Sequence, residues 1–218
     1  MPRTQTLRPA GRPVANQLGA EEFARAVEQL QRGLADECRL RPELAFEDEP
    51  SPRRLAPLAA AVAATVTDQA GDVDGELAAG KFVLLFDPAG QSAWGGKYRI
   101  IGYVRAELEP EMAADPLINA VGWSWLTEAL DARSSGYMMI SGTVTTVVTQ
   151  GFGAKEGEPT STGFELRASW SPAVSDSGSA ELDGHAAAWC EVICAAAGLP
   201  PLAPGVAPLR PPNRRARP

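Results

Sequence analysis

Few residues in this chain have the chemistry for catalysis or metal binding. Its 218 residues include one histidine, His185, and three cysteines, Cys38, Cys190 and Cys194. Cys190 and Cys194 stand one helical turn apart, which with His185 suggests a zinc set. The five-residue offset between His185 and Cys190 splays them around a helix, however, and Cys38 is remote. The cysteines therefore read as small core-filling residues, and no metal or cofactor is implied. A Ser-His-Asp or Cys-His enzyme would have to use His185, which has no Gly-x-Ser-x-Gly elbow nearby. At the start of an apolar helical stretch it reads as a boundary residue.

Carboxylates are more numerous. Asp87 closes an apolar run, while Glu107, Glu109 and Glu111 lead with Asp115 into a helix. Such acids could bind a hard divalent cation or work as an acid–base pair. Acids ahead of a helix also serve its dipole and their own solvation. Asp72, Asp74 and Glu76 lack the spacing of a calcium loop and its twelfth-position Glu. Gly151-Phe152-Gly153 lacks the spacing and the Lys-Ser/Thr of a phosphate loop. Arg99, Tyr103, Arg105 and Arg167 fall on one side of alternating strands, with Thr143, Thr145 and Glu165. Trp94, in the 87–97 connection, and Trp123 complete the set of candidate binding residues.

The elements that must position these residues follow from periodicity. Phe23, Val27, Leu30 and Leu34 make a helical stripe from Glu21, stopped by Arg41-Pro42. Glu43 to Glu47 alternates as a short peripheral strand, and Ser51-Pro52 opens a second helix through Leu55, Leu58, Val62 and Val66. Residues 68–80 read as a connection rich in Gly and Asp. The continuous apolar run Phe82 to Phe86 is an inner strand covered on both faces. Lys97 to Leu108 alternates, with Tyr98, Ile100, Val104 and Leu108 inward, and Gly102 marks a bulge or a large neighbour.

Asp115 caps and Pro116 opens a helix whose stripe is Ile118, Val121, Trp125 and Ala129. Trp123 lies opposite that stripe and must pack under another element, meet a partner or stay exposed. Residues 137–150 form a strand with Met138, Ile140, Val144 and Val148 on one face. A Gly-rich loop leads to a strand with Phe164, Leu166, Ala168 and Trp170 inward. Leu182, Ala186, Trp189, Ile193 and Ala196 make the last helix, stopped at Gly198.

This order gives an α+β fold: an antiparallel sheet of four to five strands with helices packed mainly on one face. It is similar to the order of elements in secretion-chaperone-like proteins. One domain at 20–198 is flanked by two tails expected to be disordered: a basic one at 1–19 and a Pro/Arg-rich one at 199–218. The net charge is −7, but the tails hold seven arginines and no acid. The body keeps 13 basic residues against 27 acids, about −14, which opposes duplex binding except through the tails. No apolar run approaches a membrane span or a signal segment, and an odd cysteine count fits a reducing compartment, so the expected location is cytoplasmic.

FVLLFDPAG, YRIIGYVRAELEPEMAADPLI, VGWSWLTEALDA and AAGLPP, with the RPEL and FEDEP runs near residue 41, carry a family resemblance. Over residues 20–201 the chain resembles the uncharacterised actinobacterial family called domain of unknown function 3000. The resemblance implies an actinobacterial, cytoplasmic setting and supplies no activity or site residue.

The expected function is a non-catalytic binding or adaptor module using the Arg/Thr sheet face and the 87–97 connection. A protein partner, a small anionic ligand and a homodimer are all open. The alternative is a small enzyme or metal-dependent site on Asp87 with Glu107, Glu109 and Glu111. Nucleic-acid association through the arginine-rich tails is a third reading.

Overall fold

A computed structural model describes residues 10–11, 17–68, 75–134, 136–174 and 180–202. Asp72 and Asp74, whose spacing is not that of a calcium loop, and most of both tails lie outside these residues. Among the described residues, seven strands form one antiparallel sheet: β1 (Ala10–Gly11), β2 (Leu44–Asp48), β3 (Leu58–Thr67), β4 (Glu76–Gln91), β5 (Gly96–Glu107), β6 (Tyr137–Thr149) and β7 (Ser161–Pro172). The order is β1-β3-β4-β5-β7-β6, and β2 shares the outer edge of β3 with β1. The helices are α1 (Gln17–Leu40), the short α2 (Pro110–Ala113), α3 (Ile118–Arg133) and α4 (Leu182–Ala196). The fold is α+β, with more strands than the sequence suggested.

The extra strands have identifiable causes. Residues 58–67 form β3 and not a helix. Their alanines favour a helix by intrinsic propensity, but the segment lies between β2 and β4, with Leu58 paired to Phe86 and Val66 to Ala78. Burial on both faces outweighs propensity there: Ala59, Ala60, Ala61 and Val62 are all buried. The connection expected at 68–80 is shorter, because β4 already begins at Glu76. Ala10 and Gly11, expected in a disordered tail, pair with Ala59 and Leu58, and α1 starts earlier, at Gln17.

Helices α1, α3 and α4 share one face of the sheet, with α4 between the other two. Contact is close because glycines face the aromatic rings. A Cβ at Gly80 would lie 2.9 Å from Trp189 Cζ2, and one at Gly102 would lie 3.1 Å from Trp170. Around them Phe82 meets Trp189 at 5.5 Å and Phe23 stacks on Phe86 at 5.7 Å. Phe164, Leu166, Ala168 and Trp170 of β7 all point into this core, as their alternation indicates.

α3 departs from its expected stripe. It starts at Ile118, not at Asp115-Pro116, although Asp115 Oδ1 still accepts from the Leu117 N–H at 2.8 Å. Val121 is exposed, and Gly122 takes its place on the buried face. Gly122 has no hydropathy to signal this, but Phe164 packs directly on its Cα. On β6 the expected inward Val148 is 63% exposed, because the helical layer ends before it. Among the described residues no helix is long and apolar enough to cross a membrane.

Candidate functional site

The face of the sheet away from the helices carries the candidate arginines. Register places Lys81, Tyr103, Arg167 and Thr143 in one cross-strand row and Ala79, Arg105, Glu165 and Thr145 in the next. Alternation therefore brings Tyr103, Arg105 and Arg167 together, as the sequence suggests. Each arginine, however, has local partners. Arg105 pairs with Glu76 at 2.6 Å, and Arg167 pairs with Glu165 at 2.6 Å. The Arg167 guanidinium also lies 5.6 Å from the Tyr103 ring centroid, a cation–π contact. Glu76 and Glu165 balance much of the positive charge. Glu76, remote from Arg105 in sequence, gave no sign of this role, whereas Glu165 stands two residues from Arg167 on the same side of the strand.

Arg99 differs from the other two. It is half-buried and donates to the Met139 carbonyl at 2.8 Å, to Ser169 Oγ at 2.6 Å and to Ser171 Oγ at 3.3 Å. Burial lowers its pKa from the ordinary guanidinium value. Met139 has φ of 52°, at the register shift between Met138 and Ser141. Arg99 thus braces the bulge of β6 and is committed to structure.

A groove of about 270 Å³ opens at the end of this face, lined by Glu76, Arg105, Glu107, Val147, Thr149 and Glu165. Its floor is low because Gly163 sits between Glu107 and Val147 in the register. A Cβ at Gly163 would meet nothing closer than the Ala106 carbonyl at 3.8 Å. The lone glycine in an alternating strand was the available sequence signal.

The carboxylates do not converge. Asp87 follows the Phe86–Tyr98 pair at one end of the β4–β5 hairpin, and Glu107 lies nine residues beyond Tyr98 at the other. At about 3.4 Å per residue that is roughly 30 Å. Asp87 accepts from the Ala89 N–H at 3.0 Å and from Gln91 Nε2 at 3.1 Å, while Glu107, Glu109 and Glu111 are exposed. Among the described residues no group of three or more His, Cys, Asp or Glu is placed to hold a metal ion.

The two candidate tryptophans are half-buried. Trp94 ends the turn Ser92–Trp94 of the hairpin. Trp123 packs on β6, where a Cβ at Gly142 would lie 2.7 Å from its Cζ3. Of the three fates open to it, packing against another element is the one observed.

His185 is a core residue and not a boundary one. It is fully buried, and its Nδ1 accepts from Trp170 Nε1 at 3.2 Å. The first turn of α4 already lies on β7, which a linear pattern cannot show. Burial pushes its pKa down to about 4, against a small opposing effect from Asp183. Cys190 and Cys194 are buried too, and desolvation raises both thiols, Cys194 to about 12.

These placements define an α+β protein whose available surface is a mixed-charge sheet face with a shallow groove, backed by a core that holds its imidazole. The chain belongs to the family described as "Protein of unknown function (DUF3000)", which matches residues 19–207. No curated protein and no solved structure matches it.

Proposed function

We propose that the protein is a cytoplasmic, non-catalytic binding module that receives a protein partner on the open sheet face. The observation that carries this reading is the cross-strand array of Lys81, Tyr103, Arg105, Glu165 and Arg167, which no helix covers among the described residues and which ends in the groove above Gly163. Glu49, Glu76 and Glu165 pair with Lys81, Arg105 and Arg167, which suits a partner surface of mixed charge better than a small anion. Burial of the sole histidine away from that face, together with two buried thiols, supports a non-catalytic role.

Photo-crosslinking in the producing cells tests it. A benzophenone amino acid at Ala79, paired in register with Arg105, is expected to give a discrete adduct. One at Glu28, exposed on α1, is expected to give none. The double substitution Arg105→Glu and Arg167→Glu should abolish the Ala79 adduct with little change in melting temperature, because both side chains are exposed. An adduct that survives the double substitution, or no adduct at Ala79, would refute the reading.

A further inference from the structure

Met138 and Met139 hold the tip of the β4–β5 hairpin against the start of β6. A Cβ at Gly95 would lie 3.0 Å from Met138 Sδ and 3.8 Å from both Cγ and Cε of Met139. The two side chains therefore close over one glycine, whose φ of 70° ends the turn that carries Trp94. In a regular strand two adjacent side chains point to opposite faces. Here the register of β6 with β7 shifts between Met138 and Ser141, and Met139 takes φ of 52° inside the shift. Among the described residues it is the one non-glycine with a positive φ. Such a conformation is strained and persists where surrounding contacts fix it. Those contacts are Gly95 and Arg99, which donates to the Met139 carbonyl at 2.8 Å.

The contact is open to small reagents from solvent, because Met138 is 39% and Met139 56% exposed. It is also made by the reactive atom itself. Met138 Sδ is the atom nearest to the Gly95 position, so a change at sulfur is a change at the contact. An oxygen on that sulfur creates a polar, chiral group where the packing leaves no room toward Gly95. A leucine pair would pack there equally well and offer no such chemistry.

We infer that Met138 and Met139 form an oxidation-sensitive latch, and that their conversion to sulfoxides by a peroxide releases the hairpin tip, with Trp94, from β6. In each step a sulfur lone pair attacks one peroxide oxygen, and the S–O bond forms as the O–O bond breaks. The other oxygen of hydrogen peroxide leaves with both protons as water. Sulfur loses two electrons and the peroxide gains them, so no further reactant is needed. Methionine sulfoxide is reduced enzymatically, so the latch closes again. No binding partner enters this step, and it is read on the isolated protein.

Nuclear magnetic relaxation of the full chain tests it. Hydrogen peroxide should add one oxygen to each of Met138 and Met139, seen by peptide mass. Backbone order parameters of residues 93–96 should then fall from about 0.85 to below about 0.6, while those of residues 163–170 stay as before. Methionine sulfoxide reductases A and B with dithiothreitol should restore the ordered tip. Met112→Leu removes a methionine that is 43% exposed on α2 and should respond like the wild type. Met138→Leu combined with Met139→Leu keeps the volume without the sulfur and should not respond. An ordered tip in the oxidised protein, a loss of order that the reductases do not reverse, or a loss that persists in the double leucine variant would each overturn the latch.

Discussion

Two side chains show how a candidate for chemistry becomes part of the scaffold. Arg99 has its guanidinium on three acceptors, one of them the carbonyl of Met139 in its left-handed conformation. Arg99→Ala should lower stability by about 1–3 kcal/mol in urea unfolding, because hydrogen bonds to a charged group are lost and the bulge of β6 loses its brace. Arg99→Lys should recover only part of this, since an ammonium cannot reproduce the planar fork. An unchanged urea midpoint in Arg99→Ala would show that the bulge stands without it. His185 makes a pH-dependent contribution. Its folded pKa of about 4 lies below its ordinary 6.5, so the unfolded chain takes up the proton first. The stability from this group is complete above pH 6.5 and falls as pH drops toward 4. At 1.36 kcal/mol per pH unit the full effect is roughly 3 kcal/mol. Melting temperatures of the wild type should therefore fall more steeply between neutrality and pH 4 than those of His185→Gln. Parallel curves would assign the acid limb to carboxylates alone.

At the scale of elements, close approach decides more than hydrophobicity. α3 is seated by Gly122, where a Cβ would lie 2.4 Å from Phe164 Cε2. Gly122→Ala should thus destabilise the protein by about 1–3 kcal/mol despite the better helix propensity of alanine. Phe164→Leu should relieve part of that cost in the double variant. Simple additivity in the cycle would mean that α3 and β7 do not meet as described. β3 gives the complementary case. Its alanines tolerate either backbone conformation, and the neighbours β2 and β4 choose the extended one.

Among the described residues, one sheet face lies under the helices, the other is buried at Ala59, Ala61 and Leu85 and exposed at Arg105 and Arg167, and β2 and β6 lie at opposite edges. Crosslinking at Ala79 reads the exposed part of the second face, beside its register partner Arg105.

The amino-acid sequence by itself determined the α+β class, the inward sides of β5 and β7, the span of α4 and the grouping of Tyr103, Arg105 and Arg167 on one side. These follow from alternation and helical spacing, which are local and periodic. Only the tertiary structure decided the rest. It turned residues 58–67 into a strand, buried His185, placed Trp123 on Gly142, and set Asp87 and Glu107 at opposite ends of a hairpin. It also supplied Glu76 as the partner of Arg105 and left β6 at an edge. Each of these depends on which segment lies beside which. That is settled by packing between residues far apart in the chain, and periodicity within a segment has no record of it.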